Sequence, residues 1–166
     1  MELDILMVIA EIAVALAGFA AVVANFSENW TKAKSEQLAN LLTQSGIALF
    51  ASMVPLIMSQ IRVDEEAGND TVWMVSSACY VFFATSYLVV SLLLSRGRGT
   101  GARAVDRVFL LTFFVAIGAQ IYNLYIGVQG WIYLLALLLS LAYAFVSFTL
   151  LIRPCLLYTS PSPRDS

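Results

Sequence analysis

The stretch that decides the fold covers residues 108–152 and reads VFLLTFFVAIGAQIYNLYIGVQGWIYLLALLLSLAYAFVSFTLLI. Its 45 residues carry no charge. As a single α-helix the stretch would measure ~67 Å at ~1.5 Å per residue, whereas ~20 apolar residues cross a ~30 Å hydrocarbon core. One helix is therefore too long, and the glycine-bounded GVQG at residues 127–130 predicts a turn between two helices.

Three further apolar runs precede this stretch, at residues 5–24, 38–61 and 72–95, and only the first of them contains a charge. The chain of 166 residues is 60% hydrophobic and 12% charged, with a mean hydropathy of +0.84. Soluble domains are roughly 45–50% apolar and about 25% charged. The sequence predicts an all-α, polytopic membrane helix bundle forming one domain over residues 1–154, with five transmembrane helices at about 5–24, 38–61, 72–95, 108–127 and 131–152.

The positive residues predict how the chain is threaded through the membrane. If five spans alternate in direction, one side receives seven positive residues: Lys32, Lys34, Arg96, Arg98, Arg103, Arg107 and Arg153. The other side receives only Arg62, within an acidic loop. Because positive loops stay in the cytoplasm, we expect the N-terminus outside and the C-terminus inside. At the outer ends of the last three spans, an interfacial aromatic belt is expected from Trp73, Tyr122, Tyr125, Trp131 and Tyr133.

Several classes of chemistry lack their residues in this chain. Histidine is absent from the sequence, which excludes bis-histidine haem, zinc held by imidazole and a Ser-His-Asp triad. Neither a G-x-x-x-x-G-K-[ST] loop nor a G-x-G-x-x-G loop occurs, and no basic and aromatic surface for nucleic acid is visible. We expect no cofactor, no metal site, no nucleic-acid partner and no enzymatic activity.

The last residues, CLLYTSPSPRDS at 155–166, do not continue the pattern of the helix before them. Residues 155–165 resemble the translated read-through of a sequencing-library adaptor. The resemblance implies a non-native tail, a single genuine cysteine (Cys79) and a natural C-terminus that is missing from this chain.

The first predicted helix is rich in small residues, with Ala13, Ala17 and Ala21 spaced four apart and Gly18 between them. Small faces let transmembrane helices approach closely, either within one protein or between two copies. The segment AEIAVALAGFAAVV at residues 10–23 is similar to small uncharacterised bacterial multi-pass membrane proteins. The resemblance covers one helix and implies a location in the bacterial inner membrane.

Glu11 is the only ionisable residue inside any predicted span. It lies about six residues from the outer end of its helix, ~9 Å deep, where a charge costs ~3 kcal/mol on insertion scales. We therefore expect Glu11 to face the bundle and to be neutral or paired. Matching depths across antiparallel helices predicts a polar cluster in the outer third of the bundle, composed of Glu11, Ser59, Ser76, Ser77, Gln120 and Asn123.

Two features of the second predicted helix add to this picture. Pro55 has no N–H, so it leaves the carbonyl of Ala51 without its helical donor and available to a protonated Glu11. Asn40 and Gln44, one turn apart nearer the inner end, are expected either to bond to neighbouring helices or to line an interior site.

The glycine-rich loop SRGRGTGARAVDR at residues 95–107 carries four arginines that are candidate contacts for anionic lipid headgroups: Arg96, Arg98, Arg103 and Arg107. The simpler interpretation is that these arginines fix the topology.

Two functions fit the sequence. The first is a non-enzymatic accessory or interaction subunit of the membrane, whose partners are the lipid bilayer and either a second copy or another membrane protein. The alternative is a small transporter or channel in which Glu11 exchanges protons or binds a cation.

The threading predicts the behaviour of reporters fused after residue 153. A reporter active only in the cytoplasm should work there and a periplasm-dependent one should not, because five crossings from an outer N-terminus end inside. The reverse result would contradict either the number of spans or their orientation.

Overall fold

The computed structural model describes residues 2–26, 31–61, 68–95, 104–127 and 129–157. These residues form five helices: α1 (Glu2–Phe26), α2 (Lys32–Gln60), α3 (Gly68–Ser95), α4 (Ala104–Ile126) and α5 (Gly130–Leu157). The predicted all-α class and the number of helices are confirmed. The uncharged stretch is divided as expected, with α4 ending at Ile126 and Gly127 adopting a φ of 114°, which glycine accepts without strain.

Several helices extend beyond the apolar runs that predicted them. α2 begins at Lys32 and therefore includes charged residues before its apolar part. Thr31 is the N-cap of α2, and its hydroxyl accepts a hydrogen bond from the backbone N–H of Lys34 at 3.3 Å. At the other end of the chain, α5 continues to Leu157, three residues into the segment 155–166; the remainder of that segment lies outside the described residues.

Four helices of the described chain are long and apolar enough to cross a membrane. Their candidate spans are Leu3–Asn25, Lys34–Gln60, Asp70–Ser91 and Gly130–Ile152. α4 contributes a shorter apolar segment, Leu110–Ile126. The protein is therefore an all-helical membrane protein with four long candidate spans and a shorter fifth apolar helix.

Contacts between side chains show that α3 and α4 run in opposite directions and that α3 and α5 run in the same direction. Early residues of α3 contact late residues of α4, and late residues of α3 contact early residues of α4. The contacts are Ser77 with Asn123 and Tyr87 with Phe113 for α3 and α4; Trp73 with Tyr133 and Tyr80 with Ser140 for the parallel pair α3 and α5; Ala51 with Tyr133 for α2 and α5; and Phe19 with Phe148 for α1 and α5.

α2 and α5 form the centre of the bundle. Each of them packs against the other and against α1 and α3, and α5 also packs against α4. Within the described residues, α1 contacts only α2 and α5. The packed face of α1 repeats every three or four residues, as a helix face does, through Leu6, Ile9, Ala13, Leu16 and Ala20.

The core contains many alanines, including Ala13, Ala48, Ala84, Ala136 and Ala144. In a membrane, helices gain little from hiding apolar surface, so close backbone approach and van der Waals contact must hold them together. The small residues of the first helix divide between two roles. Ala13 is fully buried and Ala17 is half-buried, whereas Gly18 and Ala21 are exposed.

Pro55 lies inside α2 and is fully buried. It leaves the carbonyl of Ala51 without a helical donor, as the sequence predicts. The structure supplies that donor from α5, because the Tyr133 hydroxyl donates to the Ala51 carbonyl oxygen at 2.5 Å. The expectation that Glu11 would occupy this carbonyl is wrong, since a fully buried tyrosine already does.

The same contact corrects the predicted aromatic belt. Trp131, Tyr122 and Tyr125 are exposed, but Trp73 and Tyr133 are buried in the core. The Trp73 and Tyr133 rings lie 5.8 Å apart, and the Tyr80 and Tyr133 rings lie 6.2 Å apart with an edge-on geometry. Tyr133 is buried because its hydroxyl has an acceptor inside the bundle, so it does not need interfacial water.

Tyr133→Phe should destabilise the bundle by roughly 1–3 kcal/mol, because it leaves the Ala51 carbonyl without a donor while keeping the aromatic ring. In a Pro55→Ala background the restored backbone N–H can serve that carbonyl, so the cost of Tyr133→Phe should shrink. Unfolding in mixed detergent micelles measures both effects. Tyr122→Phe, at an exposed tyrosine, is the control, and an equal cost in both backgrounds would contradict this account.

Candidate functional site

The interior of the bundle contains a set of polar side chains that carry no charge. In the described chain, the buried polar side chains come from α2 to α5 and comprise Gln44, Ser45, Ser52, Ser76, Ser77, Gln120, Asn123, Ser140 and Ser147. Buried polar groups need hydrogen-bond partners, because each unsatisfied one costs free energy in an apolar medium. Their partners define two regions, one beside the turn between α4 and α5 and one deeper in the bundle.

Asn123 organises the region beside the turn. Its Nδ2 donates to the Gln129 carbonyl at 3.2 Å and to Ser77 Oγ at 3.5 Å, and its Oδ1 accepts from the Gln129 backbone N–H at 2.9 Å. One turn earlier, Gln120 Nε2 donates to the Ile132 carbonyl at 3.0 Å. These bonds join the end of α4 to the start of α5 and to α3.

Four of the six residues predicted to form a polar cluster lie in the interior of the bundle. Ser76, Ser77, Gln120 and Asn123 are all buried, and Ser77 bonds directly to Asn123. The hydroxyl of Ser76 donates instead to the Val72 carbonyl of its own helix, at 2.7 Å. The cluster functions as a set of links between helices and to the backbone.

Glu11 does not belong to this cluster, which corrects the sequence-based expectation. Its side chain is exposed, on a helix that contacts neither α3 nor α4 in the described part of the chain. The reason is angular: at ~100° per residue, Glu11 lies ~160° from both Ile9 and Ala13 of the packed face. The free-energy cost of inserting one carboxylate does not rotate α1, because the buried residues of the helix all lie on the opposite face.

Ser59 is also exposed and lies outside the cluster. It is in the last turn of α2, four residues after the buried Pro55, and its hydroxyl donates to the Leu56 carbonyl at 2.7 Å. Ser77 and Asn123, which the sequence matched in depth, are in contact, but depth does not specify the side of the helix.

The deeper region lies where α2, α3, α4 and α5 meet. The Tyr80 hydroxyl and Ser140 Oγ are 3.1 Å apart, and Ser140 Oγ donates to the Ala136 carbonyl at 3.1 Å. Gln44 of α2 is fully buried beside them, and with Tyr80 and Ser140 it lines a cavity of about 20 Å³. Asn40, one turn before Gln44, accepts a hydrogen bond from the Tyr87 hydroxyl at 2.9 Å.

The sequence contained a signal for this deeper region that its interpretation missed. Ser140, Tyr143 and Ser147 recur at intervals of three and four residues in an otherwise apolar helix, so they share one face of α5. Ser140 and Ser147 are buried, and Tyr143 lines the cavity with Ser140.

Hydroxyl and carboxamide groups determine what this interior can do. They donate and accept hydrogen bonds but do not exchange protons readily at neutral pH. Over the described ranges, no group of three or more His, Cys, Asp or Glu residues could hold a metal ion. The arrangement suits the binding of neutral polar groups.

The predicted lipid contacts fall in the connection before α4. Arg96, Arg98 and Arg103 lie outside the described residues, and the side chain of Arg107, within α4, is outside the description as well. Their interaction with anionic headgroups stays a prediction.

The fold and the interior together define a helical integral membrane protein whose buried polar groups link its helices. Comparison with known proteins finds no family, curated protein or solved structure that matches this chain.

Asn123→Leu should lower the free energy of unfolding by roughly 1–3 kcal/mol, because the Gln129 backbone N–H and the Ser77 hydroxyl both lose a partner inside the bundle. Ser77→Ala should cost less, since the bond at 3.5 Å is long. Asn25→Leu, at an exposed asparagine, is the matched control in the same micelle unfolding assay. No difference between Asn123→Leu and this control would contradict the role assigned to Asn123.

Proposed function

We propose that this protein is a non-enzymatic interaction subunit that crosses the bacterial inner membrane five times, with α4 as its fourth crossing and the C-terminus inside. It associates with a second copy of itself through the outer face of α1. The observation that carries the proposal is the exposed position of Glu11, at the centre of the face that points away from the bundle.

The insertion cost of Glu11 supports this proposal. Among the described residues no side chain pairs with it, and a carboxylate at this depth costs about 3 kcal/mol on insertion scales. A neutral carboxyl group still has one donor and further acceptor sites to satisfy in lipid. A contact with another helix would supply the hydrogen bonds that this bundle does not.

The residues around Glu11 suit a close helix contact. We define the Glu11 face as Glu11, Ala15, Gly18 and Val22. On a helical wheel each of them lies within ~40° of their mean direction, and all four are exposed. A methyl group added at Gly18 would meet nothing within 4 Å, so packing within this chain does not require glycine there. Glycine costs ~1 kcal/mol in a helix relative to alanine, and a neighbouring backbone at close range is a reason to keep it.

A second copy of this chain is a partner that necessarily carries a carboxyl group at the depth of Glu11. Two copies inserted in the same orientation place their α1 helices parallel and their Glu11 residues at the same depth. Two neutral carboxyl groups related by a twofold axis can donate to each other, so the contact is self-complementary. A different membrane protein would need a polar group of its own at this depth.

The alternative function, a proton- or cation-coupled transporter or channel that uses Glu11, needs a path past this residue. Because Glu11 lies on the outside of the bundle, such a path would run between chains rather than through one. The intramembrane carboxylate is the observation that favours it.

Single-cysteine crosslinking in membranes tests the association. In a background without Cys79 and Cys155, Ala15→Cys on the Glu11 face should form disulfide-linked dimers, whereas Phe82→Cys on the exposed face of α3 should not. Glu11→Gln should preserve the dimers, because an amide also donates and accepts. Glu11→Ala should weaken association by about 0.6–2 kcal/mol.

Three results would change the assignment. Equal crosslinking at positions 15 and 82 would show only random collisions and contradict a second copy as the partner. Unchanged dimerisation in Glu11→Ala would remove Glu11 from the contact. A proton or cation flux in vesicles that is lost in a dimeric Glu11→Gln variant would favour the transporter.

A further inference from the structure

The cavity between α2, α3, α4 and α5 presents hydrogen-bonding groups from several helices to one small space. Its volume is about 20 Å³. The lining residues that bear on what it holds are Gln44, Tyr80, Thr112, Ala116, Ser140 and Tyr143. This site lies inside a single chain, on helices other than α1, and is independent of the association proposed for the Glu11 face.

Gln44 is the residue whose side chain indicates that the cavity holds a ligand. Its side chain is fully buried, and neither Nε2 nor Oε1 has a hydrogen-bond partner among the described protein groups. The Tyr87 hydroxyl lies close enough to interact with the Gln44 amide, but it donates its hydrogen to Asn40, so it has no hydrogen for Gln44 Oε1. A carboxamide has two donor hydrogens and an acceptor oxygen, and leaving them unmade in an apolar interior is costly.

The size and chemistry of the cavity select the ligand. A space of roughly 10–15 Å³ open to a water-sized sphere is enough for one water molecule, so this cavity admits one and no larger solute. A bare cation would need compensating charge in such an interior. The described lining offers amide and hydroxyl groups, without a carboxylate.

We propose that the cavity binds one water molecule, which links Gln44 of α2 to the Tyr80 and Ser140 hydroxyls of α3 and α5. Those two hydroxyls, 3.1 Å apart, retain acceptor capacity after bonding to each other and to the Ala136 carbonyl. Buried waters of this kind typically make about three hydrogen bonds to polar groups that would otherwise lack partners. The water supplies a donor to Gln44 Oε1 and connects that residue to the polar centre of the bundle.

Ala116 allows a direct test, because it lines the cavity without contributing a polar side chain. Ala116→Val places methyl groups where the water would bind. If the water is present, this change displaces it and strands Gln44, so the apparent melting temperature in detergent should fall by several degrees. In a Gln44→Leu background the stranded group is gone, and Ala116→Val should then have little effect. Ala142→Val, at an exposed alanine of α5, is the matched control.

A spectroscopic measurement covers the case in which a variant folds poorly. In the folded wild-type protein, the Gln44 side-chain amide hydrogens should show a nuclear Overhauser contact to a long-lived water. Absence of that contact would overturn the proposal. So would a melting temperature that rises with Ala116→Val, since filling a dry void stabilises a core, or an equal fall in both backgrounds, which indicates steric crowding alone.

Discussion

The hydrogen bond from Tyr133 to the Ala51 carbonyl joins α2 and α5, the two helices at the centre of the bundle. It exists because Pro55 removes the N–H that would otherwise close that turn of α2. In lipid no water is available to donate a hydrogen bond to a free carbonyl, so another helix must supply the donor. The donor sits on α5, and its ring packs against Trp73 and Tyr80 of α3. The N–H that α2 lacks is thus replaced by a donor on α5 that also contacts α3, so one side chain links three helices.

The remaining polar groups of the interior follow the same principle. Asn123 serves both the backbone of the turn into α5 and a serine of α3, and Tyr80 pairs with Ser140 between α3 and α5. Individual bonds between transmembrane helices are worth about 0.6 kcal/mol on average, so no single one holds the bundle together. Several such bonds together link α3, α4 and α5.

The exterior of the bundle is largely apolar, unlike the surface of a soluble protein. Large apolar side chains such as Phe82, Leu111 and Phe145 are well exposed, which suits a lipid environment. Against that background a polar residue that faces outward is unusual, and Glu11 is placed on the side of α1 farthest from its neighbours. Within the bundle the Ala51 carbonyl and the Asn123 carboxamide both find partners, whereas our proposal assigns the carboxyl group of Glu11 to a contact between two copies.

The sequence by itself determined the class, the five helices, the GVQG turn and the free carbonyl at Ala51, because these follow from chain length, charge and local backbone chemistry. It also placed Ser77 and Asn123 at a common depth. Only the tertiary structure decided which face of each helix is packed, and therefore that Tyr133 serves the carbonyl and that Glu11 points outward. Hydropathy is nearly uniform around these helices, so the direction that a side chain takes is set by which neighbours the helix meets.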